Sequence, residues 1–111
     1  MPVTPEYRDF ALEQLGRVAP VTSRAMFGGV GIYSEGLFFA LLDDDTAYLK
    51  VDDSNRGDFE AAGMGPFRPF GDEQAMGYYE LPADLLEDAD ALRRWVSKAL
   101  DVARAARRRK R

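Results

Sequence analysis

Between Arg24 and Val51 the chain switches repeatedly between short apolar or β-branched runs and tight turn chemistry, and this pattern constrains the fold more than anything else in it. The runs are Arg24 to Phe27, Val30 to Ser34, Leu37 to Leu42 and Thr46 to Val51. They are separated only by Gly28-Gly29, Glu35-Gly36 and Asp43-Asp44-Asp45. Short runs joined this way predict an antiparallel meander. Glu35-Gly36 resembles a two-residue hairpin turn, and Asp43-Asp44-Asp45 reads as a solvated one. In the last run Tyr48 and Lys50 alternate with Leu49 and Val51, which places Lys50 on the wet face.

On both sides of the meander the period becomes helical. Thr4-Pro5 supplies a capping hydroxyl and a first-turn proline. Tyr7, Phe10, Ala11, Gln14/Leu15 and Val18 then recur at three- and four-residue steps, predicting an amphipathic helix that ends before Pro20. Asp53 or Ser54 is expected to cap a second helix through about Ala62, with Phe59 and Ala62 buried and Gly63-Met64-Gly65-Pro66 ending it. Phe67-Arg68-Pro69-Phe70 is expected to be extended, because each proline forces its predecessor out of helical angles. Met76 to Leu81 reads as a further strand stopped by Pro82, and Leu85-Leu86 as one helical turn. Asp88 or Asp90 caps a last helix with the stripe Ala91, Leu92, Trp95, Val96, Ala99, Leu100 and Ala103. The expectation is an α+β fold: a two-layer domain, with an antiparallel sheet of about five strands and N- and C-terminal helices packed on it. Residues 1–103 form this domain, and 104–111 a basic C-terminal tail that is either a helix end or disordered.

A chain of 111 residues is near the commonest size for one domain, and 46% hydrophobic residues supply a real core. No apolar run approaches the roughly 20 residues needed to cross a bilayer. Met-Pro-Val-Thr-Pro-Glu has neither the basic start nor the apolar stretch of a secretory signal, so a cytoplasmic location is expected. The absence of Cys and His excludes disulfides, thiolate nucleophiles, Cys/His zinc sites and imidazole acid–base chemistry. The formal charge of −4 is unevenly spread. Residues 104–111 carry six basic side chains and no acid, whereas 1–103 carry nine basic and nineteen acidic ones, a net −10. An acidic body repels phosphates, so nucleic acid would be met by the tail: Arg104, Arg107, Arg108, Arg109, Lys110 and Arg111. The competing reading is that these residues complement a helix C-terminus. No aromatic interrupts them to stack on bases.

Other candidate sites fail on spacing. Gly28-Gly29-Val30-Gly31 lacks the G-x-G-x-x-G pattern between strand and helix, since Ser34 stands at the sixth position from Gly29 and a strand follows. Glycines in strands mark bulges or close backbone approach. Asp43-Asp44-Asp45 lacks the glycine and glutamate of a calcium loop, with Tyr48 and Ser54 in their places. Glu73, Glu80, Asp84 and Glu87 accompany no nucleophile–base signature, and Ser23, Ser34, Ser54 and Ser97 lack a G-x-S-x-G context. Arg56-Gly57-Asp58, inside an expected helix, is a coincidental adhesion tripeptide. Accordingly no catalytic, cofactor-binding or metal-binding residue is assigned, and no enzymatic activity is expected. The adjacent aromatics Phe38-Phe39 and Tyr78-Tyr79 point to both faces of their strands. One face is core, and the other is expected to be an apolar patch for a protein partner or a homodimer.

The string Arg24-Ala-Met26-Phe27-Gly28-Gly29-Val-Gly31-Ile-Tyr33, followed by Gly36-Leu-Phe38, resembles the opening signature of the TfoX/Sxy N-terminal domain family. Leu49-Lys50-Val51-Asp52, Phe59, Gly63, Phe67, Met76-Gly-Tyr78-Tyr79-Glu80-Leu-Pro82 and Asp88 through Leu92 to Trp95 agree in order, so the resemblance spans about residues 5–103. It implies a two-layer α+β domain regulating DNA-uptake competence as a co-activator beside a transcription factor, with no catalytic residues to transfer. Regulators of the family often carry a second, C-terminal helical domain; here a basic tail follows the first, as expected of a stand-alone domain. Under the resemblance Arg24, Met26, Phe27, Gly28, Gly29, Gly31 and Tyr33 are the signature. Met26 and Phe27 are expected to build core and the glycines to shape the strand crossing. Arg24 is expected to be a polar anchor, pairing internally with an acid or, less favoured, reaching a partner.

Overall fold

The computed structural model describes residues 2–26, 28–68 and 77–109. Its elements are α1 (Pro5–Gly16), β1 (Thr22–Met26), β2 (Gly29–Ser34), β3 (Leu37–Asp43), β4 (Thr46–Lys50), α2 (Arg56–Ala61), β5 (Tyr78–Glu80), a 3-10 turn (Ala83–Glu87) and α3 (Ala89–Arg109). The strands form one sheet in the order β1-β2-β3-β4-β5, antiparallel throughout, so the meander is extended by a fifth strand and the fold is α+β.

Turn chemistry sets the register. Glu35 and Gly36 have φ of 51° and 79°, and Asp44 and Asp45 have 52° and 53°. Two consecutive left-handed residues make the tight turn whose twist matches that of the flanking strands. Asp45 does more than turn the chain. Its carboxylate accepts from the Thr4 backbone N–H (2.8 Å) and from the Thr4 hydroxyl (3.1 Å), while that hydroxyl accepts from the N–H of Tyr7 (3.2 Å) to cap α1. The first helix is thus fixed to the β3–β4 turn.

The core lies between the sheet and its helices. Ile32, Phe39, Leu42 and Leu49 meet Ala11 and Leu15 of α1 and Leu92, Val96 and Ala99 of α3, which packs chiefly over β3 and β4. Phe59 of α2 closes one end, with its ring 4.7 Å from Trp95 and 5.8 Å from Tyr79. A register shift between Ile32 and Tyr33 leaves Phe39 as an extra residue on β3. The bulge breaks the alternation and turns both Phe39 and Ala40 into the core.

The start of α2 differs from expectation: neither Asp53 nor Ser54 caps it. The Asp52 carboxylate accepts from the Ser54 backbone (2.8 Å) in a turn of its own, and Asn55 occupies the cap position without a side-chain cap bond. The buried Asn55 amide instead accepts from the Asp52 N–H (2.9 Å) and donates to the Lys50 carbonyl (3.1 Å), tying the helix entry to the end of β4. Gly63, at φ +78°, ends α2, with Met64 N–H bonded back to the Phe59 carbonyl at 2.9 Å. Asp88 rather than Asp90 caps α3, accepting from the N–H of Ala91 at 3.2 Å.

The expected strand from Met76 is found as Tyr78–Glu80, while Met76, Pro69 and Phe70 lie outside the described residues. Gly65 to Phe67 runs along β5, with Phe67 N–H to Tyr78 O at 2.7 Å and Glu80 N–H to Gly65 O at 3.0 Å. α3 continues unbroken to Arg109, so 104–109 are its last turns, and Lys110 and Arg111 lie outside the described residues. Among the described residues, no helix is long and apolar enough to cross a membrane.

Candidate functional site

The sheet face turned away from α1 and α3 has its own chemistry. A second small cluster of Leu41, Phe67 and Tyr78, with Phe38 and Tyr48 against it, forms there. Rings and cations run across the strands in a line. The Arg24 guanidinium lies 5.7 Å over the Tyr33 ring, Tyr33 stacks on Phe38 at 5.1 Å, Phe38 meets Tyr78 at 5.4 Å, and Lys50 Nζ lies 5.0 Å over Tyr78. Phe67 packs on Tyr48 at 4.6 Å. Burial pushes the Tyr78 hydroxyl pKa upward, with Tyr33 adding to it; burial, then the charges of Glu80, Asp43 and Asp44, do the same to Tyr48. Both remain neutral phenols at physiological pH.

Most of the signature gathers on this face. Registers Arg24↔Gly31 and Met26↔Gly29 put Arg24 and Met26 of the edge strand beside the glycines of β2. A Cβ on Gly31 would stand 2.5 Å from Met26 Cε and 3.2 Å from Phe38 Cε1, so the glycine lets both side chains close over the strand. A Cβ on Gly29 would stand 2.3 Å from the Leu42 carbonyl oxygen, a close backbone approach. Gly28 makes the turn, at φ +80°.

Two expectations need correction. Met26 is half-buried on this outer face and is not part of the helix-side core. Arg24 makes no ion pair among the described residues; being exposed on an edge strand, it uses the π-face of Tyr33 instead. Phe27 lies outside the described residues.

The basic residues Arg104, Arg107, Arg108 and Arg109 are exposed on the last turns of α3. The first three, with Glu35 and Leu37, line a shallow groove of about 300 Å³ against the β2–β3 turn. Arg107 donates to the Gly36 carbonyl at 2.8 Å, and Arg104 to Asp101 at 2.9 Å. Of the acids considered as catalytic candidates, Glu80 ends β5, Asp84 and Glu87 lie in the 3-10 turn, and Glu73 is outside the described residues. No group of three or more His, Cys, Asp or Glu among the described residues could hold a metal ion.

Sequence reasoning found the aromatic pairs and the glycine cluster separately. It missed that Gly31 lies beneath Met26 and Phe38. The available signal was the two-residue alternation Gly29, Gly31, Tyr33, which puts these three on one face of β2.

A five-stranded meander with helices on one face and a glycine-opened, ring-lined surface on the other defines an α+β sheet domain. The model of the TfoX N-terminal domain matches residues 13–103, and the chain belongs to that family. No curated protein matches it.

Proposed function

We propose that this chain is a non-enzymatic regulatory domain that works in the cytoplasm by protein–protein contact, with a transcription factor or regulator as partner and DNA-uptake competence as the process served. One observation carries the reading: Arg24, Met26, Gly31 and Tyr33 gather on the sheet face that α1 and α3 leave uncovered. Arg, Met and aromatic side chains are the types enriched at protein interfaces. β1, exposed from Thr22 to Ala25, borders this surface, and a homodimer formed through it is a corollary. The test is complementation of a host lacking the chain. Arg24→Glu, with its fold checked by circular dichroism, should fail to restore transformation frequency where wild type succeeds. Equal restoration by both would refute the role of this face, and unimpaired uptake in the deletion strain would remove competence as the process.

A second reading is nucleic-acid association through Arg104, Arg107, Arg108, Arg109, Lys110 and Arg111. It is supported by Arg104, Arg107, Arg108 and Arg109 standing on a continuous helix, which holds their charges in fixed relation.

A further inference from the structure

We infer that the basic surface extends along the whole exposed face of α3, from Arg93 to Arg109, and binds the phosphate backbone of duplex nucleic acid. The inference rests on the second reading above and widens it from the C-terminal residues to the helix. Arg93, Arg94 and Lys98 are exposed, and α3 joins them to Arg104 and Arg108 in one rigid element. From Arg93 to Arg108 the helix rises about 22 Å, and a duplex offers one charge per roughly 1.7 Å of axis along that length.

The charge distribution of the molecule follows the same division. Residues 89–111 hold nine basic and two acidic side chains, a net +7, while 1–88 hold six basic and seventeen acidic, a net −11. Helix-dipole complementarity accounts for Arg107, Arg108 and Arg109 in the last turn, but not for Arg93 and Arg94 near the opposite end. The existing partners are exchangeable. Arg93 meets Asp90 at 3.5 Å, Lys98 meets Asp58 at 2.7 Å and Arg104 meets Asp101 at 2.9 Å, all solvent-exposed pairs of small net value. Six of the seven cations on the helix are arginines, whose planar forks suit phosphate oxygens. The helix's single aromatic, Trp95, is engaged by Phe59, so nothing on this face stacks on bases and a backbone-directed, sequence-independent contact follows. The groove of Arg104, Arg107 and Arg108 against the β2–β3 turn gives this surface an anchoring end. Glu35 on its rim limits how closely a phosphate can settle there.

The test is fluorescence anisotropy of a labelled mixed-sequence DNA duplex with the full chain, titrated from about 50 to 200 mM salt. Arg93→Ala/Arg94→Ala and Arg104→Ala/Arg108→Ala should each lower the log–log salt slope by about 2 and weaken low-salt binding at least about ten-fold. Alanine favours exposed helix, and circular dichroism confirms that each variant folds. If only the Arg104/Arg108 variant loses binding, contact is confined to the last turns; the inference fails and the tail reading stands. Absence of binding by wild type at low salt defeats both. Salt-sensitive self-association without duplex binding would assign the basic face to the acidic body of a second copy and also overturn the inference.

Discussion

Gly29 and Gly31 stand two residues apart on β2 and face obstacles of different kinds. Beside Gly29 a Cβ would meet the Leu42 carbonyl oxygen at 2.3 Å, part of a backbone held by the β2–β3 ladder. Beside Gly31 it would meet the end of the Met26 side chain, which can rotate away at the edge of the sheet. Gly29→Ala should therefore destabilise the protein by about 2–3 kcal/mol and Gly31→Ala by only about 1 kcal/mol. Urea denaturation midpoints measure both, and a Met26→Ala background should reduce the Gly31 penalty while leaving that of Gly29 unchanged. An equal penalty at both sites would mean that Met26 is held as firmly as backbone. Arg24 illustrates the same dependence on neighbours. Its charge was legible in the sequence, but its contact is the Tyr33 ring, which the β1–β2 register sets diagonally across from it, with Gly31 directly opposite.

β2, β3 and β4 are joined by two-residue turns, Glu35-Gly36 and Asp44-Asp45. Glu35 occupies the left-handed region at φ 51° without the glycine or asparagine that this position favours. Glu35→Asn should stabilise the hairpin by about 0.5–1 kcal/mol, read as a higher melting temperature with an unchanged fold. A loss of stability would show that the glutamate makes a favourable contact with the nearby α3 arginines that outweighs its backbone strain. Asp44 and Asp45 share the left-handed geometry, yet Asp45 is also the anchor for Thr4, so turn chemistry alone does not decide its identity. In the same way Asn55 is placed by the Asp52 N–H and the Lys50 carbonyl, and helix-capping rules applied to Asp53 and Ser54 could not foresee it.

At the scale of the whole molecule, Tyr7 registers how its surroundings are assembled. Burial, then the charge of Asp45, with Tyr48 and Glu80 adding to it, raises its phenol from 10.0 to about 12. The folded state therefore holds the proton more tightly than the unfolded chain. Its contribution to stability is complete below pH 10 and is lost as pH rises from there toward about 12. Thermal unfolding followed across that window should show stability falling, and Tyr7→Phe should make the fall shallower. The raised phenols of Tyr48 and Tyr78 leave a residual slope of the same sign. An identical alkaline profile for wild type and variant would mean that Tyr7 is solvated, and that α1 is held less closely than its link to Asp45 indicates.

Hydrophobic period alone determined that this chain has helices at both ends and an antiparallel meander between them. A strand or helix repeat is a property of neighbouring residues and backbone geometry, so it survives in the linear order. The signature string was legible for the same reason. Tertiary structure decided which face of the sheet the helices cover, and with it the placement of Met26 outside the helix-side core and of Phe39 and Ala40 together inside it. It also made the terminal arginines the last turns of α3, at one end of a longer basic helix face, with Arg107 held to the Gly36 carbonyl of the β2–β3 turn. Those outcomes depend on contacts between distant segments, and the pattern within a segment carries no record of what packs against it.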